Sequence, residues 1–368
     1  MKLQDFDYHL PRDLIAQHPA PQRDHSRLMV LDRKKGTRRH CLFSDLPRYL
    51  QPGDVLVLNE TKVLPARLMG EKRTGGKIEI LLVRKREGQE NKIHASGKTF
   101  SETHEAGKDN CGEWECLVKN SGKLRAPNQV FFEQGVLGTI LGRSGSGLWL
   151  LGLRCDGNLP EKLREIGLPP LPPYIRRNGN GWARTEDLAR YQTVYARQDG
   201  SIAAPTAGLH FSETLLDEIK EMGIRTCFLT LHVGLGTFLP VKQEEIEEHR
   251  LEPEYFEISP ETAETINDAR ASGRKVVAVG TTVTRTLESC LNEEGILTAK
   301  KGLTDLFILP GFSFRAVDAL ITNFHLPRST LFMLVWAFAG KEFIRAAYEE
   351  DIREKYRFYS YGDAMLIL

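Results

Sequence analysis

Three histidines stand where a strand-like run ends or a helix begins, in loops of small or apolar residues. His210 closes Ala203-Ala-Pro-Thr-Ala-Gly-Leu-His-Phe211. His232 follows Leu231 in Leu231-His-Val-Gly-Leu-Gly-Thr-Phe238. His325 follows a strand in Asn323-Phe-His-Leu-Pro327. Imidazole changes charge near neutral pH, so a histidine in such a place suits general acid–base work. For any one of them a packed, hydrogen-bonded core position is the simpler reading. Zinc ligation is disfavoured because no close H-x-x-x-H spacing occurs. Three at the strand ends of one domain favour a catalytic role for at least one.

The carboxylates are less distinct. The run from Glu244 to Glu254 reads as the solvated face of a helix, and Asp363, in Tyr361-Gly-Asp-Ala-Met365, as a turn or cap residue. Val276-Val-Ala-Val-Gly280-Thr281-Thr282 has the layout of a strand, a glycine and a helix start. Glycine permits close backbone approach there, and the helix start offers free N–H groups to an acceptor. An ordinary β–α turn explains the same residues. Gly234 and Gly236 form a Gly-x-Gly without the third glycine and helix of a dinucleotide fingerprint. Lys62, Arg67, Arg176 and Arg177 could contact phosphates, with Tyr174, Tyr191 and Tyr195 near enough in sequence to stack bases.

These residues need a scaffold, and the chain's texture gives one. Val55-Leu-Val-Leu58 is a continuous apolar run, as in a strand buried on both faces, and Asn59-Glu-Thr-Lys62 lies at its carboxyl end, where open α/β sheets bind ligands. Glycine-punctuated short strands fill the stretch from about Met69 to Arg154, which reads as a small barrel or sandwich, with a polar loop at 98–112. After Cys155 strands and helices alternate again: helices over 160–166, 212–222, 260–273, 282–292, 329–339 and 341–350, and strands over 225–231, 275–279 and 319–322. The expected architecture is α/β: a mixed α/β catalytic domain of residues 1–67 plus 155–368, with an inserted small β-barrel domain at 68–154. With 368 residues, two domains are the default.

Composition bounds the function. Hydrophobic residues make up 41% and charged residues 27%, as in an ordinary globular protein. The formal net charge of +1 lacks the basic excess of a protein gripping a polyanion over a wide surface. The six cysteines contain no C-x-x-C pair, which fits reduced thiols in the cytoplasm and no metal. The apolar run at 331–339 is too short for a membrane span, and the start of the sequence has no apolar signal region.

Taken together, the segments resemble the S-adenosylmethionine:tRNA ribosyltransferase-isomerases of queuosine biosynthesis. The resemblance runs in order through Phe6-Asp-Tyr-His-Leu-Pro11, Arg23-Asp-His-Ser-Arg-Leu28, Gly53-Asp-Val-Leu-Val-Leu-Asn59, Thr74-Gly-Gly-Lys-Ile-Glu-Ile80, Arg190-Tyr-Gln-Thr-Val-Tyr-Ala196, the His210 and His232 loops, Val279-Gly-Thr-Thr-Val-Thr-Arg285, Leu320-Ile-Thr-Asn-Phe-His-Leu-Pro327 and Tyr359-Ser-Tyr-Gly-Asp-Ala-Met365. One departure stands out: the family's His-x-Met-His-x-Glu is here His249-Arg-Leu-Glu252-Pro-Glu254, with a carboxylate in place of the second histidine.

The resemblance implies transfer and isomerisation of the ribosyl group of S-adenosylmethionine onto 7-aminomethyl-7-deazaguanine at the tRNA wobble position, giving epoxyqueuosine tRNA, adenine and methionine. It implies a monomeric cytoplasmic enzyme with no cofactor, S-adenosylmethionine being a substrate. On this reading His210 and His232 supply acid–base function, with Glu254 or Asp363 balancing positive charge. Thr206, Gly208, Gly234, Gly236, Gly280, Thr281, Thr282 and His325 are expected to hold S-adenosylmethionine, and Lys62, Arg67, Arg176, Tyr191 and Tyr195 the tRNA. Two other functions compete. An S-adenosylmethionine-dependent RNA methyltransferase would show a glycine-rich loop after its first strand, which residues 28–70 lack. A non-catalytic RNA-binding module would have no need of the histidine and glycine-threonine loops.

Overall fold

The computed structural model describes residues 1–86, 110–119, 121, 124–177, 184–234, 236, 241 and 243–368. The expected polar loop at 98–112 lies almost wholly outside them. The chain divides into two compact units, Met1–Val63 with Leu171–Leu368, and Leu64–Pro170. The inner unit therefore begins before the expected residue 68 and extends past 154. It takes in Arg67, which opens a barrel strand, and the short helix Leu159–Ile166.

The inner unit is a closed barrel of six strands in the order Trp149–Arg154, Cys111–Lys119, Lys77–Lys85, Arg67–Lys72, Asn128–Phe131 and Leu137–Arg143. Every neighbouring pair within it is antiparallel. Alternate residues Leu68, Ile78, Ile80, Val130, Ile140 and Leu151 are buried, as side chains filling a narrow barrel must be. At Gly138 a Cβ would lie 2.8 Å from the Phe132 ring, so the packing admits only glycine there.

The outer unit is built on a nine-stranded sheet. Across it run Lys300–Thr304, Glu254–Ile258, Arg225–Leu231, Val55–Asn59, Val276–Val279, Ala319–Asn323, Ala364–Ile367, Arg27–Asp32 and Thr37–Leu42. The four strands in the middle, from Arg225–Leu231 to Ala319–Asn323, are mutually parallel, so their carboxyl ends lie along one edge. All five residues of Val55–Asn59 are buried. Alternation sorts them: Val55 and Val57 pack with Leu229, Val276, Leu287 and Phe332 on one face, Leu56 and Leu58 with Val277, Phe211, Leu215 and Ile219 on the other.

The helices begin where their caps are written. The side chains of Ser212, Ser259 and Ser329 accept the N–H of Leu215, Thr262 and Phe332 at the starts of Glu213–Glu221, Pro260–Ala271 and Thr330–Ala339. Gly223, at φ +78°, ends the first of them. The expected helical face at 244–254 is overturned. Only a short 3-10 turn, Ile246–Glu248, forms there, and Glu254 opens a strand with its side chain buried. That run has too few apolar residues for a helical stripe, and its Glu244 carbonyl instead accepts the Leu3 N–H.

Asn59 sits where the central strand leaves the sheet. The Glu60 N–H still donates to the Leu229 carbonyl at 2.9 Å. Beyond that point the ladder is continued by the Asn59 side chain. Its Nδ2 donates to the Leu231 carbonyl at 2.9 Å, and its Oδ1 accepts the N–H of Leu231 and of Thr61, both at 3.1 Å. A side-chain amide thus stands in for a peptide group while the main chain turns away. Asn59→Leu would leave three buried backbone groups without partners, at about 1–3 kcal/mol each. We expect it to lower the unfolding free energy by about 3 kcal/mol or more in urea denaturation; a loss under about 1 kcal/mol would contradict this account.

Candidate active site

The edge formed by the parallel strands collects Asn59 and Thr61, His232, Gly280 to Thr282, and Asn323 to His325. The three histidines meet different fates there. His210 is 4% exposed and stacks on Phe43, with ring centroids 5.0 Å apart. Its Nδ1 is 2.7 Å from Ser26 Oγ, and its Nε2 is 3.0 Å from Asn323 Nδ2. Because that amide donates, Nε2 is the acceptor and Nδ1 carries the proton to Ser26. Burial pushes the pKa down to about 4, against a smaller upward pull from Asp363. His325 is buried too, with Nε2 2.8 Å from Thr322 Oγ1 and its main-chain N–H donating to the Tyr348 hydroxyl oxygen at 3.1 Å. Burial takes it to about 3. His210 thus bridges Ser26 and Asn323 from a buried position, and His325 packs in the core beside Thr322.

His232 differs. Its Nδ1 is 2.8 Å from Thr61 Oγ1, its ring stacks on Tyr255 at 5.4 Å, and Nε2 has no hydrogen-bond partner among the described residues. Gly200, at φ +150°, lies so close that a Cβ there would be 2.6 Å from Nε2. The ring is half-buried. Burial lowers its pKa, while Asp199 and Glu257 pull it back upward. It lines an open groove of about 1200 Å3 whose walls include Glu60, Arg197, Phe228, Tyr255 and Glu257.

The strand Glu254–Ile258 turns Tyr255 and Glu257 to the groove and Glu254 to its opposite face, since neighbouring residues of a strand point to opposite faces. Glu254 Oε2 accepts Arg285 Nη1 at 2.5 Å, and its Oε1 accepts the Gly234 N–H at 2.8 Å. Arg285 Nε also donates to the Leu306 carbonyl at 2.8 Å. Both side chains are below 10% exposure, so this is a buried ion pair tying a strand, a helix and two loops together. A small crevice beside it is lined by Gly236, Glu252 and Thr330. Glu252, where the family motif has histidine, is thus a second carboxylate at this crevice.

Asp363 is committed to structure. Its carboxylate accepts the N–H groups of Arg27 and Arg357 and the Arg357 guanidinium. Gly280, at φ +94°, donates its N–H to the Ile321 carbonyl at 2.7 Å, and a Cβ on it would lie 3.6 Å from Ala207. That contact brings Gly280, Thr281 and Thr282 against the 3-10 turn Thr206–His210, so two expected S-adenosylmethionine segments adjoin. Gly208 is required by packing, because a Cβ there would meet the Tyr195 hydroxyl at 2.0 Å.

Of the expected tRNA contacts, Tyr191 and Tyr195 are 1% and 7% exposed. Tyr191 sits edge-on to Tyr361 and Tyr195 packs against Phe228, so neither can stack a base. Arg67 is paired with Glu79 at 2.9 Å within the barrel unit. Lys62, 3.7 Å from the Asp199 carboxylate, and Arg176 are exposed. Sequence reading placed Asn59 and Glu60 at a strand end where ligands bind but gave them no role, and it did not single out Arg197 or Arg285. The signal for Asn59 was a lone amide ending an otherwise apolar strand, and for Arg285 a charge amid the threonines and valine of a buried helix.

The buried histidines set an acid limit on stability. Their folded pKa values of about 4 and about 3 lie below the ordinary 6.5. As pH falls below 6.5 the unfolded chain takes up protons that the native one refuses, so stability is lost, by about 1.4 kcal/mol per pH unit for each histidine. Urea denaturation at pH 7.5, 6 and 5 should show this fall, and His210→Gln should have a shallower one. An identical pH slope in the variant would exclude the assignment.

Comparison with known proteins follows the same residues. The family model described as queuosine biosynthesis protein matches residues 3–367. Proteins named S-adenosylmethionine:tRNA ribosyltransferase-isomerase from Halothermothrix orenii and Moorella thermoacetica are each 49% identical, over 100% of both chains. One from Caldanaerobacter subterraneus is 47% identical over the same span. The crystal structure of S-adenosylmethionine tRNA ribosyltransferase from Thermotoga maritima is 35% identical, covers 99% of this chain and 100% of its own, and superposes with a TM-score of 0.52. This chain belongs to the queuosine biosynthesis protein family.

Proposed function

We propose that the chain is an S-adenosylmethionine:tRNA ribosyltransferase-isomerase. It transfers the ribosyl group of S-adenosylmethionine to 7-aminomethyl-7-deazaguanine at the tRNA wobble position and isomerises it, releasing adenine and methionine and leaving epoxyqueuosine tRNA. It acts as a monomer in the cytoplasm, consumes S-adenosylmethionine as substrate and needs no cofactor. The observation that carries this reading is similarity to proteins of that name along the whole chain, at 47–49% identity. Within the described residues no helix is long and apolar enough to cross a membrane.

The chemistry sets three proton tasks. Adenine leaves more readily if a ring nitrogen is protonated as its glycosidic bond breaks. The ribosyl carbon beside the sulfonium must lose a proton. The acceptor amine must be neutral to attack. His232 is suited to one of these, because burial lowers its pKa and so favours the neutral ring, Thr61 fixes that ring, and the residue lines the groove. Gly280 to Thr282 and Thr206 to Gly208 hold S-adenosylmethionine in this scheme. Glu254 acts by position, since Arg285 and Gly234 already use its charge.

The test is product identity. Purified protein with S-adenosylmethionine and tRNA bearing the aminomethyl base should release adenine and methionine in equal amounts, only when that tRNA is present. S-adenosylhomocysteine would mean a methyltransferase instead, and tRNA binding without turnover a non-catalytic module. His232→Ala should lower turnover by about 100-fold or more; near-normal turnover would remove His232 from the chemistry.

A further inference from the structure

The groove that presents His232 holds a second ionisable group with no structural duty. Glu60 follows Asn59, at the point where the central strand leaves the sheet. Its main chain is fixed, the N–H donating to Leu229 and the carbonyl accepting the N–H groups of Arg197 and Gln198 at 2.8 and 3.2 Å. Its side chain is 16% exposed, yet the carboxylate makes no hydrogen bond among the described residues. Its ion-pair partner is Arg197, at 3.7 Å and itself 66% exposed. Such a long, solvated pair contributes little to stability. By contrast, Glu254 on the other face of the sheet is fully engaged, and in the groove Glu257 accepts the Tyr255 hydroxyl at 2.7 Å. Glu60 is the carboxylate in the groove that is both shielded from water and unused.

The substrate of the proposed reaction needs such a group. Its acceptor nitrogen is a primary alkylamine, which is an ammonium ion at neutral pH and has no lone pair for attack. We infer that Glu60 is the base that deprotonates the acceptor ammonium, in the groove it shares with His232, and that Arg197 moderates it. This rests on the function proposed above. In the step one N–H bond of the ammonium breaks and an O–H bond forms on Glu60. The products are a neutral amine carrying its lone pair and a neutral carboxylic acid. The carboxylate first receives the ammonium as a cation, in a groove that also places the aromatic rings of Phe228 and Tyr255. Burial raises the pKa of Glu60, opposed by Arg197, as a base working near neutrality requires. The other charged or titratable groups lining the groove are His232, Tyr255 and Glu257, with Lys220, Arg225, Cys227 and Glu261 along it and the Lys62–Asp199 pair next to it.

The experiment is adenine release as a function of pH, with S-adenosylmethionine and the aminomethyl-bearing tRNA, for wild type, Glu60→Gln, Glu60→Asp and Arg197→Gln. Thermal melts of each variant check folding. Adenine release by the wild type tests the parent reading by itself; the ratio of variant to wild type tests Glu60. Glu60→Gln should lower kcat about 100-fold or more, with the KM for S-adenosylmethionine changed less than about threefold. Its remaining rate should keep rising with pH into the alkaline range, as free substrate amine becomes available without a base. Glu60→Asp should restore part of the rate. Arg197→Gln should move the acid limb of the profile to higher pH, because a cation that favours the carboxylate has been removed. The inference is overturned if folded Glu60→Gln stays within about threefold of wild type. It is equally overturned if that variant loses activity while its pH profile keeps the wild-type shape, since Glu60 would then be only structural.

Discussion

The site depends on one substitution of a side chain for a backbone. A parallel sheet can open a crevice at its carboxyl edge only if a strand departs while its neighbours continue, and each departure leaves peptide groups in the interior with nothing to bond. Asn59 resolves this with one amide, which offers a donor and an acceptor to Leu231 and a second acceptance to Thr61. Everything that gives His232 its setting follows from that geometry. Thr61 is held where its hydroxyl meets the imidazole, Glu60 is turned into the groove, and Leu231 stays in register so that the next residue emerges at the strand end. Aspartate would lack the donor, and leucine would lack both functions.

Burial then sorts the chemistry. Three histidines lie near one sheet edge, and depth decides what each can do. His325 and His210 are driven well below neutrality, so both rings stay neutral and orient Thr322, Asn323 and Ser26. His232, with one ring nitrogen tied to Thr61 and the other open, keeps a pKa that nearby carboxylates pull back toward the ordinary range. The same sorting applies to carboxylates. Glu254 and Asp363 are buried and saturated with donors, whereas Glu60 is shielded but unspent.

Much of the fold was legible because hydrophobic pattern and caps agreed. The apolar run at 55–58, the serine caps at 212 and 329 and the glycine-rich change of texture all point to the elements that form. What sequence missed were the sheet's outer strands. Thr37–Leu42 and Lys300–Thr304 are polar edge strands without an apolar run, and lysines and arginines there guard an unpaired edge. Glu254–Ile258 was hidden by the acidic run before it, since a charge count cannot tell a solvated glutamate from one buried against an arginine distant in sequence. For the site, the segments were visible but the depth of each residue was not. Tyr191 and Tyr195 look like base-stacking residues until their rings are seen inside the core, and nothing in the sequence shows that both nitrogens of His210 have partners.

A cationic substrate constrains what may surround it, and the arrangement of charge answers that constraint. A sulfonium ion and an ammonium ion must approach each other for the proposed reaction, so uncompensated positive charge beside them would raise the barrier. Arg285 lies close to the sheet edge, yet its guanidinium is bound by Glu254, and two main-chain carbonyls face it besides. The pair is neutral as a unit and contributes rigidity more than field. Replacing both members with apolar side chains would cost little, whereas removing one would leave a buried charge worth several kcal/mol. In the groove the opposite arrangement holds: Arg197 lies 3.7 Å from Glu60 and is largely solvated, so it moderates the carboxylate without locking it in a hydrogen bond. Rigid, neutralised charge on one face of the strand and loose, available charge on the other is the division expected of a site that must stay fixed while it moves protons.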